Sequence, residues 1–400
     1  MNKQKLWTKN FIIVAITNFL IYVVFYLLMV IIAVYAVDKF EASTGIAGLV
    51  SGIFIVGILI GRLWTGRIVE DVGSRRILII GTLLFVITSA LYLAAVTLPL
   101  LVIVRFLHGL AYGVASTATG TIVAQVIPDG RRGEGIGYYS MSQILATALG
   151  PFIGIVLSQH VDFNVIFILN SIIAAAGFAM SFIITQPIRK TLRQEQAKAF
   201  KHFQISNFLE FAAIPISIIV LIVGFNYSAV LTFISLYSKE LHLEETASFF
   251  FIVYAATVIL SRPFSGRLLD IRGANFVVYP CLLIFSIGMF LLGGANRGIT
   301  LLIAGVAIGL GYGNFLSCGQ AISIKNAPPH RLGLATATYY IFLDIGFSLG
   351  PYLFGSLLPY TGYRGSYFIM AVVTLATIGL YYFLSGNRRA ISRDARLAHD

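Results

Sequence analysis

The chain has 400 residues, 58% of them hydrophobic and only 11% charged, with a formal net charge of +12. A soluble domain carries roughly 25% charged residues, so this composition excludes a water-soluble globular protein. Too few charges exist to cover the surface, and lipid must be the solvent for most of it. The basic excess falls between apolar runs, which points away from nucleic acid and toward orientation in a membrane.

The sequence opens Met-Asn-Lys-Gln-Lys and enters an apolar run over 11–36. A signal-peptide core spans roughly 7–15 residues. This run is too long, so a retained first spanning helix is expected, despite the cleavage-like triplet Val34-Tyr35-Ala36. A crossing needs roughly 20 mostly apolar residues. Twelve are predicted, over 11–36, 46–66, 76–96, 100–127, 135–157, 164–185, 212–237, 247–267, 276–294, 299–325, 333–357 and 366–385. The expected fold class is an all-α membrane protein: a six-helix bundle over 1–185, a linker over 186–211, a second six-helix bundle over 212–386 and a tail over 387–400. The linker is basic, with Phe200, Phe203 and Ile205 interleaved, and reads as a segment lying on the membrane surface.

With an even number of crossings both termini share one side. That side holds 21 of the 28 Lys and Arg, whereas Lys39, Lys239, Arg297 and Arg364 are the four on the other. The positive-inside rule then places both termini in the cytoplasm of a multi-pass plasma-membrane protein. The remaining three, Arg62, Arg105 and Arg262, lie inside spans. Cys281 and Cys318 sit in apolar runs and form no ligand-spaced cluster, so neither a disulfide framework nor a metal site is indicated, and no cofactor is expected.

The two halves match at an offset of 200 residues. Arg62, Gly66, Arg67, Glu70 and Gly73 recur as Arg262, Gly266, Arg267, Asp270 and Gly273. Gly109 and Gly113 recur as Gly309 and Gly313; Pro128, Arg131, Gly133 and Tyr139 as Pro328, Arg331, Gly333 and Tyr339; Gly150-Pro151 as Gly350-Pro351. Six spans are duplicated in parallel orientation, a design in which the substrate path runs between the repeats.

Residues 66–76 read Gly-Arg-Ile-Val-Glu-Asp-Val-Gly-Ser-Arg-Arg. This stretch resembles the loop signature Gly-x-x-x-Asp-Arg-x-Gly-Arg-Arg of the major facilitator superfamily, with Glu70 at the acidic position and Asp71 where an Arg is usual. The resemblance implies a gating motif of Gly66, Glu70, Gly73, Arg75 and Arg76, with Asp270 and Gly273 in the second half. Glu70 would face the start of span 11 near Gly333, and Asp270 the start of span 5 near Gly133, each against the positive end of a helix dipole. Arg75, Arg76, Arg131 and Arg331 would exchange partners with these acids. Gly66 and Gly266 are expected to allow close helix contact. On span 5, Gly137, Ala146, Gly150, Pro151 and Gly154 resemble the superfamily's antiporter motif, with Ala146 and Ile155 in place of two of its glycines, which implies export.

Arg105 lies about a turn and a half into span 4, followed by His108. An intramembrane Arg costs at least roughly 2.5–3.5 kcal/mol at a helix centre and needs a partner or a wet cavity. The segment resembles the superfamily's span 4 motif, in which the Arg is implicated in proton transfer. Asp344 is the one carboxylate deep within a span. Desolvation would suit it to carry a proton, and pairing with Arg62 or Arg262 is the alternative. Arg62 and Arg262 are expected to snorkel toward the interface. The proton-coupling candidates are therefore Asp344, Arg105 and His108. By the fold implied, the cavity would be lined by Asn18, Tyr22, Tyr26, Tyr112, Tyr139, Gln143, Asn226, Tyr227, Tyr312 and Asn314. This aromatic and amide mixture suits amphipathic small molecules.

No Gly-x-x-x-x-Gly-Lys-Ser/Thr loop for ATP and no catalytic constellation stands in the aqueous segments. The expectation is a secondary transporter and not an enzyme. It would exchange protons for small amphipathic compounds as a drug:proton antiporter-like monomer embedded in the lipid bilayer, without nucleic acid as a partner. The alternative is a transporter of one defined metabolite, such as a sugar, an organic acid or a siderophore-like metallophore.

Overall fold

The computed structural model describes residues 6–128, 131–185, 209–328 and 331–386, with the side chains at 70, 71, 132–134, 137 and 270 outside the description. The expected surface linker and the tail therefore lie outside the described residues. Among those described, regular structure is entirely helical: α1 (Lys9–Phe40), α2 (Thr44–Val72), α3 (Ser74–Ala90), α4 (Leu98–Val126), α5 (Arg132–His160), α6 (Phe163–Ile183), α7 (Ile214–Leu241), α8 (Glu244–Arg272), α9 (Ala274–Gly293), α10 (Gly298–Ile308), α11 (Asn314–Asn326) and α12 (Leu332–Tyr381). A 3₁₀ turn, Leu91–Ala94, follows α3, and a π-helical turn, Gly309–Gly313, joins α10 to α11.

Helix ends follow from local chemistry. The Thr8 hydroxyl accepts from the Phe11 N–H at 3.2 Å and the Ser43 hydroxyl from the Ile46 N–H at 3.4 Å, capping α1 and α2. Gly73 (φ 93°) and Gly273 (φ 83°) end α2 and α8 in a backbone conformation that L side chains resist. From Val23 to Val34 α1 is apolar and nearly all buried, as befits a helix packed on every side.

Eleven stretches among the described residues are long and apolar enough to cross a membrane, against twelve expected. The last two predicted crossings form one stretch of 50 residues, broken at a single position, Gly362 (φ 63°, ψ 176°). Unbroken, such a helix would be roughly 75 Å long, more than twice the ~30 Å of a hydrocarbon core.

The chain forms two compact units. Unit 1 is built on the first six helices together with Leu231–Ala255 and Pro351–Ser356; unit 2 holds the remainder of the second half. Within unit 1 the added segments are seated on α1, α2 and α5. Ser235 donates to the Val30 carbonyl at 3.0 Å and Thr44 to the Gly355 carbonyl at 2.6 Å. Phe152 meets Phe249 at 5.5 Å. A Cβ at Gly48 would lie 2.0 Å from the Pro351 carbonyl oxygen, so backbone meets backbone there. Lys239 pairs with Asp38 at 2.8 Å, both side chains being exposed.

Candidate functional site

The first half contains a dry charged cluster. It begins with the glycines of α2 and α4. A Cβ at Gly109 would lie 1.9 Å from the Phe54 carbonyl oxygen, and one at Gly57 would lie 2.3 Å from that of Phe106. The two backbones therefore touch, as small residues permit in a membrane. This approach sets Arg105, which is 0% exposed, against α2. Its Nε donates to the Val50 carbonyl at 3.1 Å, Nη2 lies 3.7 Å from the Met29 Sδ, and the guanidinium rests 4.4 Å from the centre of the Phe54 ring. Nη1 donates to the Tyr92 hydroxyl at 3.3 Å. Arg105 has no carboxylate partner among the described residues; carbonyl, hydroxyl, sulfur and ring face take that place.

Tyr92 is placed by the 3₁₀ turn after α3 and by stacking on Phe167 at 5.1 Å. Its oxygen also lies 3.0 Å from His108 Nδ1, and His108 Nε2 lies 3.1 Å from the Ser89 hydroxyl. The His108 ring stacks on Phe85 at 4.5 Å. Arg105 can only donate, and a tyrosine hydroxyl has one proton. The assignment that satisfies all three side chains has Tyr92 donating to Nδ1 and a neutral His108 donating from Nε2 to Ser89. Arg105 and His108 were named from the sequence. Tyr92, which connects them, and Ser89, which holds the far side of His108, were not.

A second buried network ties α1, α4 and α5 together. Asn18 Nδ2 donates to the Ser142 hydroxyl at 2.9 Å, and Asn18 Oδ1 accepts from Tyr139 at 2.8 Å and Thr119 at 3.2 Å. Asn18 and Tyr139 thus bind one another. Tyr22 and Tyr26 are half-buried and stand beside Tyr112, with ring centres 5.5 Å apart for Tyr22 and Tyr112. Gln143 is half-buried on α5. Gly150 and Gly154 bring α5 onto α1: a Cβ at either would lie 2.7 Å from Tyr26 Cβ or the Leu27 carbonyl oxygen. Pro151 lies inside α5, and Gly137 has no described side-chain environment.

In the second half, the π turn sets the geometry. Asn314 Nδ2 donates to the Leu310 carbonyl at 2.9 Å and to the Ser261 hydroxyl at 2.8 Å, while Ser265 donates to Asn314 Oδ1 at 2.8 Å. The amide caps a carbonyl inside the distorted turn and fastens it to α8. Gly311 makes room, because a Cβ there would lie 2.5 Å from the Phe285 nitrogen. The matching positions in α4 are Ala111 and Val114, and α4 runs through as a regular helix. The π turn seats Tyr312 face to face on Tyr227, with ring centres 3.8 Å apart and planes 11° apart. Asn226 turns from Tyr227 toward α12, donating to the Thr374 hydroxyl at 2.8 Å.

Arg262, expected to snorkel, donates from both Nε and Nη2 to the Ser317 hydroxyl of α11, at 3.0 and 2.5 Å. It makes no ion pair with Asp344, which is half-buried on α12 and has other neighbours.

The gating motif is only partly described. Ser74 donates to Gln125 Oε1 at 2.9 Å and Arg75 to the Phe182 carbonyl at 3.2 Å, fastening the start of α3, while Arg76 is exposed. The expected contacts of Glu70 and Asp270 fall on side chains outside the description. The expected tight contact at Gly66 and Gly266 is corrected: among the described residues, a Cβ at either would meet nothing within 4 Å. In the first half the close approach lies higher, at Gly57 and Gly61, where α2 crosses α4. Arg331 pairs with Glu210 at 2.8 Å, an acid that the sequence reading passed over. Glu210 also accepts from the Ala212 N–H at 3.1 Å ahead of α7. A lone carboxylate just before an apolar helix was the available signal.

The comparisons with known proteins agree with this architecture. The sequence profile of the Major Facilitator Superfamily matches residues 14–300 and 216–398. The chain is 22% identical over 386 residues to an uncharacterized MFS-type transporter of Methanocaldococcus jannaschii, covering 94% of this chain and 98% of that protein. It is 22% identical over 399 residues to the multidrug resistance protein MdtG of Dickeya zeae, covering 97% of each. Among solved structures, a bacterial homolog of the human lysosomal transporter Spinster, inward-facing and unoccupied, superimposes with a TM-score of 0.76 at 15% identity, covering 96% of this chain and 98% of that one. A helical membrane fold, a duplicated motif set and a profile matching most of the sequence lead to one conclusion: the chain belongs to the Major Facilitator Superfamily.

Proposed function

We propose that the protein is a proton-coupled exporter of small amphipathic compounds, working by alternating access. The observation that carries this reading is the buried chain Arg105–Tyr92–His108–Ser89. It holds a cation with no carboxylate partner among the described residues and links it through one hydroxyl to a side chain that can gain or lose a proton. Tyr22, Tyr26 and Tyr112 in one half, and Tyr227 and Tyr312 in the other, supply flat apolar surface of the kind that binds amphipathic molecules. The likeness to a multidrug resistance protein along nearly the whole length supports export. Asp344 is the proposed carboxylate partner in coupling.

We read the broken α12 as two crossings, which gives twelve in all and puts both termini on the Lys- and Arg-rich, cytoplasmic side of the plasma membrane. The test is an efflux assay in proteoliposomes with an imposed pH gradient and a panel of amphipathic dyes. Asp344→Asn and His108→Gln are each expected to lose pH-driven efflux while remaining folded. Gradient-driven efflux at the wild-type rate in both variants would remove the proposed coupling.

A further inference from the structure

We propose that Arg262 is the anchor for an oxyanion on the substrate, so that the transported compounds are amphipathic acids rather than the cations that a multidrug exporter would suggest. The inference deepens the transport reading above and rests on it.

Three observations lead there. First, Arg262 is half-buried inside a span, and its contacts go to a single neutral hydroxyl. A guanidinium has five donors in a planar fork. Two hydrogen bonds to Ser317 hold the fork in place and leave the Nη1 edge unengaged. No carboxylate pairs with Arg262 among the described residues, so its charge is positioned but not compensated. Second, the polar groups beside it bind one another: Ser261 and Ser265 are bonded to Asn314, three residues before Ser317. They are neutral and do not compete for the fork. The same segment carries Tyr312, stacked on Tyr227, so an aromatic plate and the hydroxyl that holds the Arg262 fork belong to one short stretch of chain. Third, the spans hold three cations, Arg62, Arg105 and Arg262, against one deep acid, Asp344. Among the described residues, Arg105 takes no carboxylate and Arg262 takes none. In a low-dielectric interior this excess repels a cationic ligand and favours an anionic one. A carboxylate offers two oxygens that match the fork of an arginine.

An anionic lipid headgroup presents similar oxygens, so the test separates the two sources. Purified protein in phosphatidylcholine nanodiscs is titrated with 2-naphthoate and, separately, with 2-naphthylmethylammonium, the same ring with the opposite charge. Binding is read by calorimetry and by the rise in Tm. Naphthoate is expected to bind at least tenfold more tightly than the amine. Arg262→Gln is expected to weaken naphthoate roughly ten- to a hundredfold and to leave the amine within about twofold, and Arg262→Lys is expected to fall between. The unliganded Tm of each variant reports whether it folds, and the lysine variant keeps the test open should the glutamine variant not.

Absence of naphthoate binding, equal affinity for the amine, or unchanged naphthoate affinity in Arg262→Gln would overturn the proposal. So would stabilisation by added phosphatidylglycerol that depends on Arg262 while naphthoate has no effect, which would give the site to a lipid. The efflux assay separates this proposal from the transport reading. Arg262-dependent naphthoate binding without pH-driven efflux would sink the coupling and keep the anchor. Export of the amine without naphthoate binding would do the reverse.

Discussion

Two matching segments took different structural courses. Gly109-Leu110-Ala111-Tyr112-Gly113 in α4 and Gly309-Leu310-Gly311-Tyr312-Gly313 after α10 differ at one residue, and at the next position Val114 faces Asn314 in register. The first segment is regular helix, and the charged residue on it, Arg105, is buried in a network of its own unit. The second is a π turn held open by the Asn314 amide, with an aromatic pair on one side and the Ser317–Arg262 contact on the other. Duplication preserved the crossings and their glycine contacts. Arg105 and His108, where the second copy has Gly305 and Ile308, make one copy a buried holder of charge, and Gly311 and Asn314, where the first has Ala111 and Val114, accompany the distorted turn of the other. π turns within helices are frequent at functional sites.

The comparison can be broken most severely at the contact that supports the first copy. Gly109→Leu would drive a side chain into the Phe54 carbonyl, with no flexible atom to yield. The expected loss is roughly 3 kcal/mol or more, seen as failure to recover monodisperse protein in detergent. Gly66→Ala, with open space around it, should leave the elution profile and Tm unchanged.

Tyr92→Phe comes next in size. It leaves His108 Nδ1 and one Arg105 N–H without their partner in a buried site, at about 1–3 kcal/mol for the lost bonds. The Tm should fall, and pH-driven efflux should fall with it; efflux at the wild-type rate would show that Tyr92 is scaffold alone.

Asn314→Val gives the second copy the residue of the first. The Leu310 carbonyl then loses its amide, and the π turn is expected to relax to α-helix at a cost of about 1–2 kcal/mol. Residues beyond the turn should rotate by roughly 100°, one α-helical step. Cys318, buried just past the turn, reports this through its rate of maleimide labelling in a Cys281→Ala background. An unchanged rate would mean that Gly311, and not Asn314, sets the turn.

The smallest effect is expected at Asp38. Its pair with Lys239 is exposed on both sides, and such pairs contribute about 0–1 kcal/mol. Asp38→Asn should move the Tm barely at all in moderate salt, because both side chains of the pair are exposed.

Much of this was legible in the sequence. Apolar run length found the eleven apolar stretches, and the offset repeat located Gly109, Gly113 and Gly150 of α4 and α5 but not Gly57 and Gly61, on which α2 closes. Arg105 was found because a charge in a span has no neutral explanation. Its partner Tyr92, and Ser89 on the far side of His108, were not found, because both lie outside span 4 and only the tertiary approach of α3 to α4 brings them near. Asn18 and Asn226 were read as cavity residues from type and span alone. The structure gives the Asn18 amide to Ser142 and Tyr139 and the Asn226 Nδ2 to Thr374, hydroxyls that face them only once the helices pack. The Ser317 contact of Arg262 was not legible, because it depends on how α8 packs against α11.

The break at Gly362 has a mechanical consequence. At the matching point of the first half, α5 ends at His160 and α6 starts after Asp162, with extended backbone between them. In the second half one glycine makes the whole corner. Only the two torsions of that residue are free to set the angle between the arms, whereas the first half has those of Val161 and Asp162 together. A residue with a β-carbon at 362 would be strained at φ 63° and would shift the angle.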